Sequence, residues 1–127
     1  MADVNRGNRP LSPHITIYRP QMTSASSIMI RITGLACLGL ALFVVWWFLG
    51  AASSETGFAG IDGFIRSWFG DLMLLGGTWA LWFHVLGRLR HVIWDFGYCL
   101  DVETAEKLGL GMFIGATVLT LFTLIVV

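Results

Sequence analysis

ITGLACLGLALFVVWWFLG, residues 32–50, runs for 19 residues without an acidic or basic side chain. A helix rises about 1.5 Å per residue, so this stretch crosses a hydrocarbon core of about 30 Å. Leu108 to Val127 forms a second charge-free stretch. Between them Leu72 to Gly87 offers only 16 residues without Lys, Arg, Asp or Glu. That is short for a span, so the middle helix is expected to run past its charged ends, from near Phe64 to about Ile93. Its arginines then snorkel or face a partner rather than lipid. The pattern predicts an all-α integral membrane protein of three transmembrane helices, at about 26–50, 64–93 and 105–127, in one membrane-anchor domain 1–127 with a tail over 1–25.

Composition supports the same class. Of 127 residues 56% are hydrophobic and 13% charged. A soluble domain of this length exposes too much of its surface to hide so much apolar area. The net charge is zero, which argues against nucleic acid as a partner. The first thirty residues lack an apolar run with a small-residue cleavage site, so the first span is expected to act as its own insertion signal. Cys37 and Cys99 stand far apart, without metal-ligand spacing and without Cys-x-x-Cys-His, which excludes covalent haem attachment and argues against a structural disulfide.

Charge sets an orientation. Arg6, Arg9, Arg19 and Arg31 precede the first span, and Arg88, Arg90 and Lys107 flank the connection DFGYCLDVETAEK at 95–107. GAASSETGFAGIDG, 50–63, reads as a Gly/Ser-rich loop with Arg66 alone nearby. The positive-inside rule then places the N-terminus and the 95–107 loop in the cytoplasm and the C-terminus on the opposite side. Pro10, Pro13 and Pro20 argue for an irregular segment before the first helix. Thr104 is a candidate cap for the third span. The six tryptophans suit interfacial belts and helix packing.

The residues out of place in lipid are His84, Arg88, His91 and Asp95. At about 100° per residue, and with His84 at zero, Arg88 falls near +40°, His91 near −20° and Asp95 near +20°. One narrow stripe of ionisable groups must face protein, a cofactor or water. His84, the deepest, suits either a bond to a neighbouring helix or an axial bond to a non-covalent haem. His91 lies about 10.5 Å further along the axis, so the two imidazoles cannot take opposite faces of one iron. A second axial histidine would come from another chain. Gly76, Gly77, Ala80 and Gly87 leave room for a helix or macrocycle. At the start of the first span Ser27 and Arg31 share a face. They form either an interfacial anchor or a donor pair for a buried carbonyl or a haem propionate, at the depth of the Arg88–Asp95 cluster.

RPLSPHITIY (9–18), SSIMIRITG (26–34) and HVLGRLRHVIWDFG (84–97) together resemble the cytochrome b membrane-anchor subunits of succinate dehydrogenase, respiratory complex II. The resemblance runs in order over most of the chain. It implies a four-subunit assembly with a flavoprotein, an iron–sulfur subunit and a second small anchor subunit that donates the other axial histidine to one shared haem b. It implies that His84 is the axial ligand, that Ser27 and Arg31 bind ubiquinone, and that Arg31, His91 and Arg88 lie near the haem propionates and quinone. Asp95 is then a candidate for relaying protons. One departure stands out: the family has His-Arg where this chain reads Ile30-Arg31, removing a polar contact near the propionates. The implied activity is electron transfer from succinate to quinone, in a subunit outside the catalytic core, within a bacterial inner membrane; no transit peptide points to the mitochondrial one. The alternatives are a haem-free structural anchor, an anchor for quinol:fumarate reductase, and a small transporter with the His/Arg stripe as its ion path.

Overall fold

The computed structural model describes residues 18–127. Four helices follow in order: α1 (Met22–Ser53), α2 (Glu55–Ile65), α3 (Trp68–Asp95) and α4 (Val102–Val126). Three of them, α1, α3 and α4, are long and apolar enough to cross a membrane. Within their most apolar windows only 11%, 22% and 22% of residues are buried inside the chain. The apolar side chains therefore point outward, which suits lipid or neighbouring membrane helices and not water.

The helix starts follow from capping chemistry. Ser54 accepts from the Gly57 amide at 3.0 Å to open α2, and Ser67 accepts from the Gly70 amide at 3.2 Å to open α3. α4 is opened by Asp101, which accepts from the Thr104 amide at 2.8 Å. The cap is thus Asp101, and Thr104 is the donor three residues on, because the helix starts one turn earlier than expected. Thr104, through its side chain first and its amide second, holds the Asp101 carboxyl below the usual carboxylate range. α3 closes on Gly97, at φ 80°, with the Tyr98 amide donating to the Ile93 carbonyl at 3.2 Å. This is a left-handed C-terminal cap that glycine enters without strain.

The 50–63 segment, expected as a loop, is mostly the helix α2. Its apolar face docks on the end of α1: Phe58 lies 5.8 Å from Trp47 and Phe64 lies 5.9 Å from Phe43 between ring centroids. Ile61 fills the space over Gly50, where a Cβ would collide with its Cδ1. A short helix gains its stability from such packing rather than from propensity, so Gly/Ser composition did not exclude it.

α1 and α3 run antiparallel along a close seam. Ser26 meets Arg90, Ile30 lies over Gly87, Gly34 faces His84 and Leu40 lies over Gly77. Small residues set this approach, as in membrane bundles generally. The core is Ile30, Phe83, Met112 and Ala116, with Phe83 and Phe113 edge to face at 4.7 Å. Trp79 and Trp82 hydrogen-bond across to Thr117 and Thr123 of α4, at 3.2 and 3.0 Å.

Candidate functional site

His84 sits midway along the seam, half-buried. Its ring lies against α1 where Gly34 has no side chain; a Cβ there would stand 3.0 Å from the ring's Cε1. Nε2 lies 3.1 Å from Arg88 Nε. A guanidinium only donates, so Nε2 carries the lone pair and Nδ1 carries the hydrogen. Nδ1–H then donates to the Ile30 carbonyl at 3.2 Å. Backbone carbonyls commonly orient a metal-binding imidazole this way, fixing the tautomer and raising the basicity of the other nitrogen.

The remaining stripe residues follow along α3. Arg88 is exposed and His91 half-buried, and Asp95, the last residue of the helix, is exposed. His91 Nδ1 is satisfied by the Gly87 carbonyl one turn back, at 2.7 Å, and its ring meets Trp94 edge-on at 5.4 Å. Among the described residues no carboxylate pairs with Arg88 or Arg31, and Asp95 has no cationic partner. On α1, Ser27 is half-buried and Arg31 exposed. Spacings of four and three put Ser27, Arg31 and Gly34 on one face, and Gly34 is the residue that His84 touches. The α1 row and the α3 row therefore run side by side, although no hydrogen bond among the described residues joins Ser27 or Arg31 to α3.

Two further placements come from the structure. Ile30 does not stand in the polar row: it is 5% exposed and packs on Gly87 and Met112, while its carbonyl serves His84. The departure at this position therefore puts an apolar side chain into the core and keeps the backbone contact. Gly77, Ala80 and Gly87 are taken up inside the bundle, whereas Gly76 faces open space. The S-P-H motif at 12–14, with His14, lies outside the described residues.

Sequence reasoning also missed Ser26 and Arg90. Arg90 is 3% exposed and donates from Nη1 to Ser26 Oγ at 2.8 Å. The signal was available: at about −120° from His84, Arg90 shares the face of Phe83 and Gly87 and not that of the ionisable stripe. Among the described residues no group of three His, Cys, Asp or Glu gathers to hold a metal ion. The metal-binding chemistry on view is two imidazoles oriented by backbone carbonyls, of which His84 lies deeper in the span.

Comparisons with known proteins identify the family. The family described as succinate dehydrogenase/fumarate reductase transmembrane subunit matches residues 5–123. The succinate dehydrogenase cytochrome b556 subunit of Paracoccus denitrificans is 48% identical over 99% of this chain and 97% of its own length. The cytochrome b560 subunits of Reclinomonas americana and Marchantia polymorpha are 37% and 34% identical, each over 93% of this chain and over 83% and 90% of their own lengths. With its three membrane-crossing helices and its oriented histidine on the second, the chain belongs to the succinate dehydrogenase/fumarate reductase transmembrane subunit family.

Proposed function

We propose that this chain is the membrane-anchor cytochrome b subunit of a succinate:quinone oxidoreductase. It holds haem b jointly with a second small anchor subunit and builds part of the ubiquinone-reduction site. The observation that carries the reading is His84, with Nδ1–H engaged by the Ile30 carbonyl and its Nε2 lone pair covered only by the exposed side chain of Arg88. With Arg88 swung aside, that nitrogen would hold a haem iron. The glycine opposite the ring keeps the approach narrow and rigid, while Arg88, His91 and Arg31 provide cations or donors for carboxylate propionates toward the same end of the bundle.

Haem b, when bound, supplies a one-electron carrier between the two anchors. The chain's own residues bind and orient the quinone. Ser27 Oγ–H donates to one quinone carbonyl. Arg31 stabilises the negative charge that builds on the oxygen as two electrons arrive from succinate by way of the iron–sulfur subunit. Two protons complete the quinol, and Asp95, at the mouth of the row, relays them from the cytoplasm. This requires the start of α1 and the end of α3 on the cytoplasmic side, as the distribution of Arg and Lys favours. The flavoprotein and iron–sulfur subunits dock there, in a bacterial inner membrane.

A reduced-minus-oxidised spectrum of the purified complex, with its subunit count, tests the reading. A b-type band and four subunits are expected. A colourless complex would select a structural anchor without cofactor. Ser27→Ala and Arg31→Ala are expected to slow succinate-driven quinone reduction; wild-type rates in both would remove the quinone assignment.

A further inference from the structure

Among the described residues Arg90 is the buried cation. It is 3% exposed and its partner Ser26 is 0% exposed. Nη1 donates to Ser26 Oγ at 2.8 Å, and that hydroxyl donates onward to the Thr23 carbonyl at 3.0 Å. The guanidinium carbon lies 4.5 Å over the Trp94 ring, whose Nε1 donates to the Cys99 carbonyl at 3.0 Å. Gly109 of α4 makes room for the joint, since a Cβ there would stand 3.3 Å from Ser26 Oγ. One side chain thus ties the first turns of α1 to the last turns of α3 and, through Trp94, to the connection before α4.

As a mere joint this is a costly one. Among the described residues no carboxylate pairs with Arg90, and its buried Nε has no hydrogen-bond partner. An apolar side chain of similar volume bridges helices without the desolvation of a charge. What the guanidinium adds is direction. Ser26 and Ser27 are neighbours, about 100° apart on the helix. A bond that turns the Ser26 hydroxyl inward fixes the rotation of α1 and presents Ser27 and Arg31 on the row beside His84.

We propose that Arg90 is a positioning residue of the quinone site: by clamping Ser26 to α3 it sets the angle at which Ser27 and Arg31 meet the quinone. The inference rests on the quinone site proposed above. Ser27 holds the quinone before and during its reduction, whereas Arg31 meets the charge that develops, so turning the pair out of line acts on both KM and kcat. In the purified complex, Arg90→Met is therefore expected to raise KM for a short-chain ubiquinone about tenfold and to lower kcat as well. The haem spectrum and succinate oxidation by a soluble dye are expected to stay unchanged. Arg90→Lys keeps a donor on a long stem and is expected to recover part of the loss, and Ser26→Ala to reproduce a smaller one.

Arg90→Met with lowered thermal stability and unchanged KM would overturn the proposal, because a plain structural joint behaves that way. If Arg90→Met does not assemble, Ser26→Ala and Ser26→Val carry the test, and an unchanged KM in both overturns it. Ser27→Ala separates the two readings. A raised KM in Ser27→Ala with none in Arg90→Met keeps the quinone site and removes the clamp. The reverse pattern keeps the clamp and moves the quinone contact from Ser27 to Arg31.

Discussion

α3 carries ionisable groups on two faces and treats them in opposite ways. On one face His84, Arg88, His91 and Asp95 stand half-buried or exposed, the two histidines bonded to backbone carbonyls and Arg88 to His84. On the other, Arg90 is enclosed with Phe83 and Gly87 against α1 and α4. The first face holds its two histidines and Arg88 by hydrogen bonds within its own helix and to the Ile30 carbonyl, at a surface that a ligand or partner subunit can reach. The second spends its polar groups on holding three helices together. In a membrane chain the direction of a polar side chain thus separates a group awaiting a ligand or partner subunit from a group that builds the frame.

Mutations on the two faces are expected to fail differently. The sharpest contrast pairs His84→Tyr with Phe83→Ala. The first is expected to abolish or strongly shift the reduced b-type band while the subunits still co-purify. The second leaves the band and costs about 3–5 kcal/mol of stability through the cavity it opens. Equal spectral loss in both, measured per flavin, would erase the distinction between the faces. Next in size is Gly87→Ala, whose Cβ would stand 2.6 Å from Ile30 Cγ1 and 3.2 Å from Met112 Cε. Overpacking of this kind costs about 1–3 kcal/mol, and adding Ile30→Ala is expected to restore part of it in thermal unfolding of the complex. A Gly87→Ala complex as stable as wild type would show that the seam has slack.

Gly34→Ala sharpens the comparison because it touches the ligand face alone. The new methyl presses on the His84 ring, so the position of the b-type band or the midpoint potential is expected to move, while stability changes by less than about 1 kcal/mol. A potential identical to wild type would mean that the ring is not held by α1. Thr117→Val removes the acceptor of Trp79 and is expected to cost about 0.6 kcal/mol, the usual scale for such bonds in membranes. The smallest effect lies outside the bundle. The Asp101 carboxyl is lowered in the folded chain, so its bond to Thr104 adds stability above the ordinary carboxylate value of about 3.9 and loses it as pH falls through the lowered one. Asp101→Asn keeps a cap and is expected to flatten this acid dependence; an unaltered acid limb in the variant would assign it to other carboxylates.

The three spans and the ionisable stripe were legible because lipid punishes charge and a helix has a fixed period: four positions sufficed to place His84, Arg88, His91 and Asp95 together. α2 was not legible, since Phe58, Ile61 and Phe64 matter only through Trp47, Gly50 and Phe43, which stand elsewhere in the chain. Asp101 and Thr104 are both capping residue types, and only the start of the helix decides between them. That the Ile30 side chain belongs to the core shows only once the rotation of α1 is known. Arg90 looks like one more basic residue at a membrane edge, and only its angle relative to Phe83 tells otherwise.

The antiparallel seam of α1 and α3 has a consequence for how such a chain can change over generations. Ser26 with Arg90, Ile30 with Gly87 and Gly34 with His84 pair positions whose numbers rise on one helix as they fall on the other. Added or deleted residues in the α2 region leave this pairing intact. One residue inserted between Ser26 and Gly34 would turn everything before it by about 100°, carrying Ser27 out of line with the imidazole. Length variation is therefore tolerated at one end of the bundle and forbidden along the seam, so the spacing from Ser26 to Gly34 acts as a ruler written into the covalent chain.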